Sequence, residues 1–165
     1  MAAVFGAVML VMRVVRLEGQ RGGGGDLPVG ERAPAFRLDD AGSGAPLELA
    51  SLAGRPVILA FWGTYCPSCR DELPALDAVA REAEGRYAVV SLSAEDPERV
   101  RAFLAKRALA FPVLMDLTGA TFEAYRVESV PKTVILDRHG AIVHDFTGPA
   151  DADILREHME RLAGG

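Results

Sequence analysis

Cysteine is scarce in this chain, with two among 165 residues, Cys66 and Cys69. A pair excludes a disulfide-rich scaffold. It is also a poor staple, because a bridge over so short a loop removes little unfolded-state entropy. A zinc site would need further ligands, and there is no third cysteine. His139, His144 and His158 are scattered without ligand spacing and read as surface or hairpin residues, so no metal is expected. Cations of one sign are not clustered either. Lys and Arg number 18 against 23 Asp and Glu, the net charge is −5, and no basic run argues for nucleic acid. Long hydrophobic runs are missing too. Ala2 to Met12 is apolar or small throughout, but a bilayer span needs about 20 residues. No basic stretch precedes it and no small-x-small site follows, so a secretory signal fits badly. For residues 1–17 a shortened anchor, a degenerate signal and an element packed on the domain all stay open.

What the chain does have is a dithiol where a strand should hand over to a helix. Pro56 to Phe61 is an apolar run of strand length, as in a strand buried on both faces. After it comes Trp62-Gly63-Thr64-Tyr65-Cys66-Pro67-Ser68-Cys69. Leu73, Leu76, Val79, Ala80 and Ala83 then recur at helical spacing, and Gly85 supplies the stop. Cys66 falls at the start of that helix, with Pro67 suited to its first position. Unpaired N–H groups and the helix dipole stabilise a thiolate there. Cys66 is thus expected to attack, and Cys69, one turn further in and more buried, to resolve the mixed disulfide.

Glu72 lies three positions after Cys69, hence on the same helical face. A partly buried carboxylate there has a raised pKa and can move the Cys69 proton. The bland reading is a solvated first-turn glutamate favoured by the dipole. Pro74 is expected to kink the helix.

The stretch Trp62 to Cys69 resembles the active site of the thioredoxin superfamily. Its extension Cys69-Arg70-Asp71-Glu72-Leu73-Pro74 resembles the C-x-x-C-x-x-E-x-P of the TlpA/ResA branch, membrane-associated thiol–disulfide oxidoreductases that include cytochrome c maturation thioredoxins. The resemblance runs from about Gly30 to Leu162. It implies a thioredoxin fold, a central mixed sheet flanked by helices, with an N-terminal β-hairpin extension and a β/α insertion. It implies that Glu72 matches the active-site glutamate of that branch. It also implies that Val130-Pro131 is a cis peptide across from the dithiol, its Val130 backbone free to pair with an extended substrate. Read from the residues alone, Pro131 is only a proline tolerated at the first position of a strand. The substrate-contacting residues expected are Trp62, Pro67, Val130 and Pro131. Trp62 should pack beside the dithiol and shape the docking surface.

The remaining segments agree with an α/β chain. Residues 20–26, including Gly22 to Gly25, read as a tether. The expected division is 1–29 outside and 30–165 as the thioredoxin-like domain, in which half-hydrophobic composition can fill a core. Ala35–Leu38 and Leu47–Leu49 flank a Gly/Asp/Ser-rich turn and predict a hairpin. Tyr87–Leu92 is a second buried strand, and Pro97–Arg107 a helix with Val100, Phe103 and Leu104 inward. Strand, helix, strand, helix in this order predicts a parallel βαβ unit. Phe111–Met115 reads as a short strand and Thr121–Tyr125 as a short helix. Val134–Leu136 and Ala141–Phe146 predict an antiparallel edge hairpin. A final helix follows, capped by Asp151 or Asp153, with Ile154, Leu155, Met159 and Leu162 inward.

The function expected is thiol–disulfide exchange with disulfide-containing proteins, needing no cofactor. The resemblance adds a monomeric reductant of extracytoplasmic proteins in the cell envelope, recharged by a membrane or soluble thiol donor. Cysteine usage alone leaves both sides of a membrane open. Three other classes are weighed. A peroxiredoxin-type peroxidase needs a Thr three residues before its reactive Cys, whereas Thr64 is two before Cys66. A copper chaperone of the Sco type uses a C-x-x-x-C, one residue longer than this loop. A non-catalytic binding module would be indifferent to Cys66→Ser.

Overall fold

In the computed structural model, residues 27–165 are described. The readings for residues 1–17 and 20–26 lie outside them. Seven strands form one mixed sheet: β1 Arg37–Asp40, β2 Pro46–Glu48, β3 Val57–Phe61, β4 Ala88–Ser93, β5 Val113–Met115, β6 Lys132–Leu136 and β7 Ile142–Thr147. Their spatial order is β2-β1-β5-β4-β3-β6-β7. The centre, β3 beside β4 beside β5, is parallel, because a helix crosses back between successive strands. Both flanks are antiparallel hairpins, β1–β2 and β6–β7.

Every residue of β3 is buried, and the run splits by alternation. Ile58 and Ala60 face one core layer, and Val57, Leu59 and Phe61 face the other. The first layer is covered by α1, Pro67–Glu82, by α2, Pro97–Leu104, and by α4, Ala152–Ala163. Leu73, Leu76 and Val79 of α1 and Leu155 and Met159 of α4 fill it. Each such side chain contributes about 1.5–3 kcal/mol by leaving water. The second layer holds Leu27, Phe36 and Tyr125 over β3, β4 and β6, with Phe122 of α3, Ala120–Ala124, packed against it. The Phe61 ring sits 5.2 Å from both Phe122 and Tyr125.

Several elements depart from expectation, each for a local reason. α2 ends at Leu104, not Arg107. The Lys106 and Arg107 amides bond to carbonyls three residues back, closing the helix with tight turns. β5 begins at Val113, because Pro112 has no N–H to give the ladder. β1 is shifted to Arg37–Asp40, and Asp40 caps its own turn by accepting from Gly42 N, Ser43 N and Ser43 Oγ. Ile154, expected inward, is 36% exposed. Leu155, Met159 and Leu162 already form the inner stripe at four- and three-residue spacing, and Ile154 falls beside it. The three histidines are not all scattered. β7 packs on α4, so the His144 and His158 rings stack at 5.2 Å. No group of metal-holding side chains occurs among the described residues. Asp151 caps α4 through Asp153 N and Ile154 N, and α1 continues through Pro74 over 16 residues.

Candidate active site

The parallel arrangement of β3 and β4 brings their carboxyl ends to one edge, where open α/β sheets place their sites. Trp62 N donates to Leu92 O at 3.0 Å, holding the exit of β3 against β4. The chain then turns, Cys66 N bonding to Gly63 O at 3.2 Å. A Cβ at Gly63 would meet the Tyr65 ring at 2.4 Å, so any larger residue there must displace that ring. Cys66 is the N-cap of α1 in extended conformation, with Pro67 at the first helical position. Its Sγ accepts from Cys69 N at 3.1 Å, so the sulfur itself satisfies one of the helix's unpaired donors. Ser68 Oγ stands 3.4 Å from the same sulfur.

Cys66 and Cys69 are joined as a disulfide with Cα atoms 5.2 Å apart. Both cysteines are buried, Cys66 keeping 7% of its surface and Cys69 1%, so Cys66 is the less covered of the two. Val130-Pro131 is a cis peptide, and the Val130 carbonyl oxygen lies 3.7 Å from Cys66 Sγ. The loop before β6 therefore lies against the dithiol. Gly148 N bonds to Pro131 O at 2.7 Å and ties that loop to the end of β7. Pro67 is exposed and Val130 half-buried.

Glu72 is 4% exposed, on the buried face of α1 one turn from Cys69. Thr133 Oγ1 and Ala150 N donate to its Oε1 at 3.4 and 3.2 Å. Burial pushes its pKa up from 4.5 to about 7, against the lowering effect of those two bonds. It is not a solvated surface glutamate.

Trp62 belongs to the same core layer as both cysteines, its ring 5.4 Å from Phe103. At 2% exposure it contributes almost nothing to the surface. Its Nε1 is the only fully buried side-chain donor or acceptor atom among the described residues without a partner. The exposed aromatic is its neighbour Tyr65, at 66%. Sequence reasoning passed over Tyr65, although it directly precedes Cys66 in the chain. It also missed Glu95, whose carboxylate takes Thr64 N at 2.5 Å and Thr64 Oγ1 at 2.8 Å.

A dithiol held this way, the less covered cysteine capping a helix N-terminus and the other one turn behind it, is built for thiol–disulfide exchange. On a sheet of this strand order it defines a thioredoxin-type oxidoreductase. Comparison with known proteins agrees. The model of the AhpC/TSA family matches residues 29–145. The thiol-disulfide oxidoreductase ResA of Halalkalibacterium halodurans is 35% identical over 135 residues, 81% of this chain and 76% of the relative. The thioredoxin-like protein YneN of Bacillus subtilis is 41% identical over 135 residues, 79% of this chain and 78% of its own length. Among solved structures, the pneumococcal exposed lipoprotein thioredoxin Etrx1 of Streptococcus pneumoniae superimposes with a TM-score of 0.73 at 26% identity. That match covers 78% of this chain and all of that one. The chain belongs to the AhpC/TSA family of the thioredoxin superfamily, and within it is a ResA-like thiol–disulfide oxidoreductase.

Proposed function

We infer that this enzyme reduces disulfides of proteins outside the cytoplasm, the apocytochrome c cysteines awaiting haem among them. The reading is carried by the placement of Cys66 Sγ on the Cys69 amide and beside the Val130 carbonyl. A thiolate there is stabilised by the helix N-terminus, and an extended substrate can pair with the backbone of Val130 while its sulfur meets Cys66.

The exchange balances without a cofactor. The reduced Cys66 thiolate attacks one substrate sulfur, forms the mixed disulfide and releases the other substrate sulfur as a thiolate, which takes up a proton. Cys69 loses its proton, attacks Cys66 Sγ and releases the second substrate thiolate. The enzyme ends as the Cys66–Cys69 disulfide, and two electrons have passed to the substrate. Glu72 receives the Cys69 proton, which a carboxyl titrating at about 7 does at ordinary pH. A membrane or soluble thiol donor then restores the dithiol. Tyr65 and Pro67 border the docking edge from the helix side, and Val130 and Pro131 border it from the other. Residues 30–165 act as the catalytic unit, monomeric, with residues 1–17 as its attachment to the membrane. Support for a cell-envelope setting comes from the lipoprotein relative. Among the described residues no helix is long and apolar enough to cross a membrane.

Peroxide reduction fits less well. The Thr64 hydroxyl is engaged by Glu95 and is two residues from Cys66, so it does not serve as the threonine of a peroxidatic site. The test is trapping in cells with Cys69→Ser, which stalls exchange at the mixed disulfide. Envelope proteins, haem-attachment cysteines included, should be recovered by mass spectrometry. Recovery of cytoplasmic proteins alone contradicts the reading.

A further inference from the structure

The turn that presents Cys66 is held from outside its own strand and helix. Glu95 follows β4, and its two carboxylate oxygens accept from two donors of one residue, Thr64 N on Oε2 and Thr64 Oγ1 on Oε1. Ser93, fully buried at the end of β4, fixes the other side: its Oγ lies 3.4 Å from Glu95 Oε2 and from Glu95 N. The turn has few other restraints. It contains Gly63, and between β3 and α1 its backbone is held by Trp62 N to Leu92 O and Cys66 N to Gly63 O. Charge-assisted, two-point bonds of this kind are about twice as strong as neutral ones and fix direction as well as distance.

We propose that Glu95 is a positioning residue for the exchange reaction, a carboxylate clasp on Thr64 that holds Cys66 Sγ over the Cys69 amide. It acts through Thr64, and among the described residues no hydrogen bond joins it to either sulfur. The proposal rests on the reading of Cys66 as the attacking sulfur. Two effects of the carboxylate oppose one another. As a nearby negative charge it disfavours a thiolate on Cys66. As a clasp it favours one, by keeping the sulfur on the helix N-terminus. The clasp has the larger effect, because contact with the Cys69 N–H is direct while the charge is spent on the two Thr64 donors.

The experiment measures insulin reduction and the pH midpoint of Cys66 alkylation for the wild type, Glu95→Ala, Glu95→Gln, Thr64→Val and Cys66→Ser. Glu95→Ala is expected to reduce exchange about tenfold and to move the alkylation midpoint upward. Glu95→Gln keeps one acceptor and should recover part of the rate. Thr64→Val removes one of the two donors and should give a smaller loss in the same direction, which stands as the test should Glu95→Ala not fold. A downward midpoint in Glu95→Ala, or unchanged rates in the folded variants, overturns the clasp. An active Cys66→Ser overturns instead the assignment of the attacking sulfur, so the two failures are distinguishable.

Discussion

The sheet buries a carboxylate on each of its faces, and the two are treated differently. Asp145 of β7 has a side chain 7% exposed and is met by a cation: Lys132 Nζ, itself 1% exposed, stands 3.1 Å away. Leu27 N adds a bond to the same Oδ2, and Lys132 Nζ also donates to Arg126 O. Glu72, on the opposite face, has only a hydroxyl and an amide, and it forms no ion pair among the described residues. A paired carboxylate ties the segment after Pro131 to β7 and to the chain at Leu27. Glu72, buried without a cation beside it, has its pKa pushed up to about 7.

That contrast can be broken from the structural side first. Lys132→Met should cost about 3–5 kcal/mol in denaturant unfolding, because it leaves Asp145 buried without its partner. The double variant Lys132→Met with Asp145→Leu should recover much of that loss. A single variant as stable as the wild type would show that the pair does not hold this face.

The functional side is next. Glu72→Gln should slow exchange by about 100-fold and remove the limb of the pH–rate profile near 7. Stability should change in the opposite sense. Glu72 has a folded-state pKa raised from 4.5 to about 7, so its favourable contribution is complete below 4.5 and lost as pH rises through 7. Glu72→Gln should therefore flatten the stability curve across that window and gain about 2–3 kcal/mol above it. Loss of both rate and stability at neutral pH would place Glu72 with Asp145, as a structural group.

Thr133→Val gives a smaller effect and a finer test. It removes a hydroxyl that lowers the Glu72 pKa, so the corresponding limb of the pH–rate profile should move upward. A downward move would mean that the hydroxyl does not serve the ionised form. Tyr65→Ala, which removes an exposed ring beside Cys66, should raise KM for a protein substrate a few-fold and leave the reduction of a small disulfide unchanged, as expected for lost contact area at a rim.

How legible this was depends on the distance along the chain over which each feature is made. The dithiol, the strand before it and the helix after it are local, and Phe61 through Val79 carries the whole pattern. That Glu72 shares a helical face with Cys69 follows from spacing, whereas its burial depends on α1 packing against Thr133 of β6 and Ala150. Lys132 carried a signal that went unused: a lysine inside the apolar run Val130 to Leu136 must find a partner if that strand is buried. The identity of that partner, Asp145, depends on hairpin register. Glu95 carried no local signal at all. It meets Thr64 only because β3 and β4 are adjacent and parallel, so their ends share one edge. The stacking of His144 on His158 likewise comes from α4 lying on β7. Trp62 and Tyr65 illustrate the remaining limit, since two aromatics three residues apart in one turn gave no means of telling the buried ring from the exposed one.

The most direct test is competitive alkylation of the fully reduced protein, with label on each cysteine counted by mass spectrometry. Cys66 should take the label first and nearly alone, with Cys69 protected until the protein is unfolded. Equal labelling of the two, or faster labelling of Cys69, would contradict the assignment of an outer attacking sulfur and an inner resolving one.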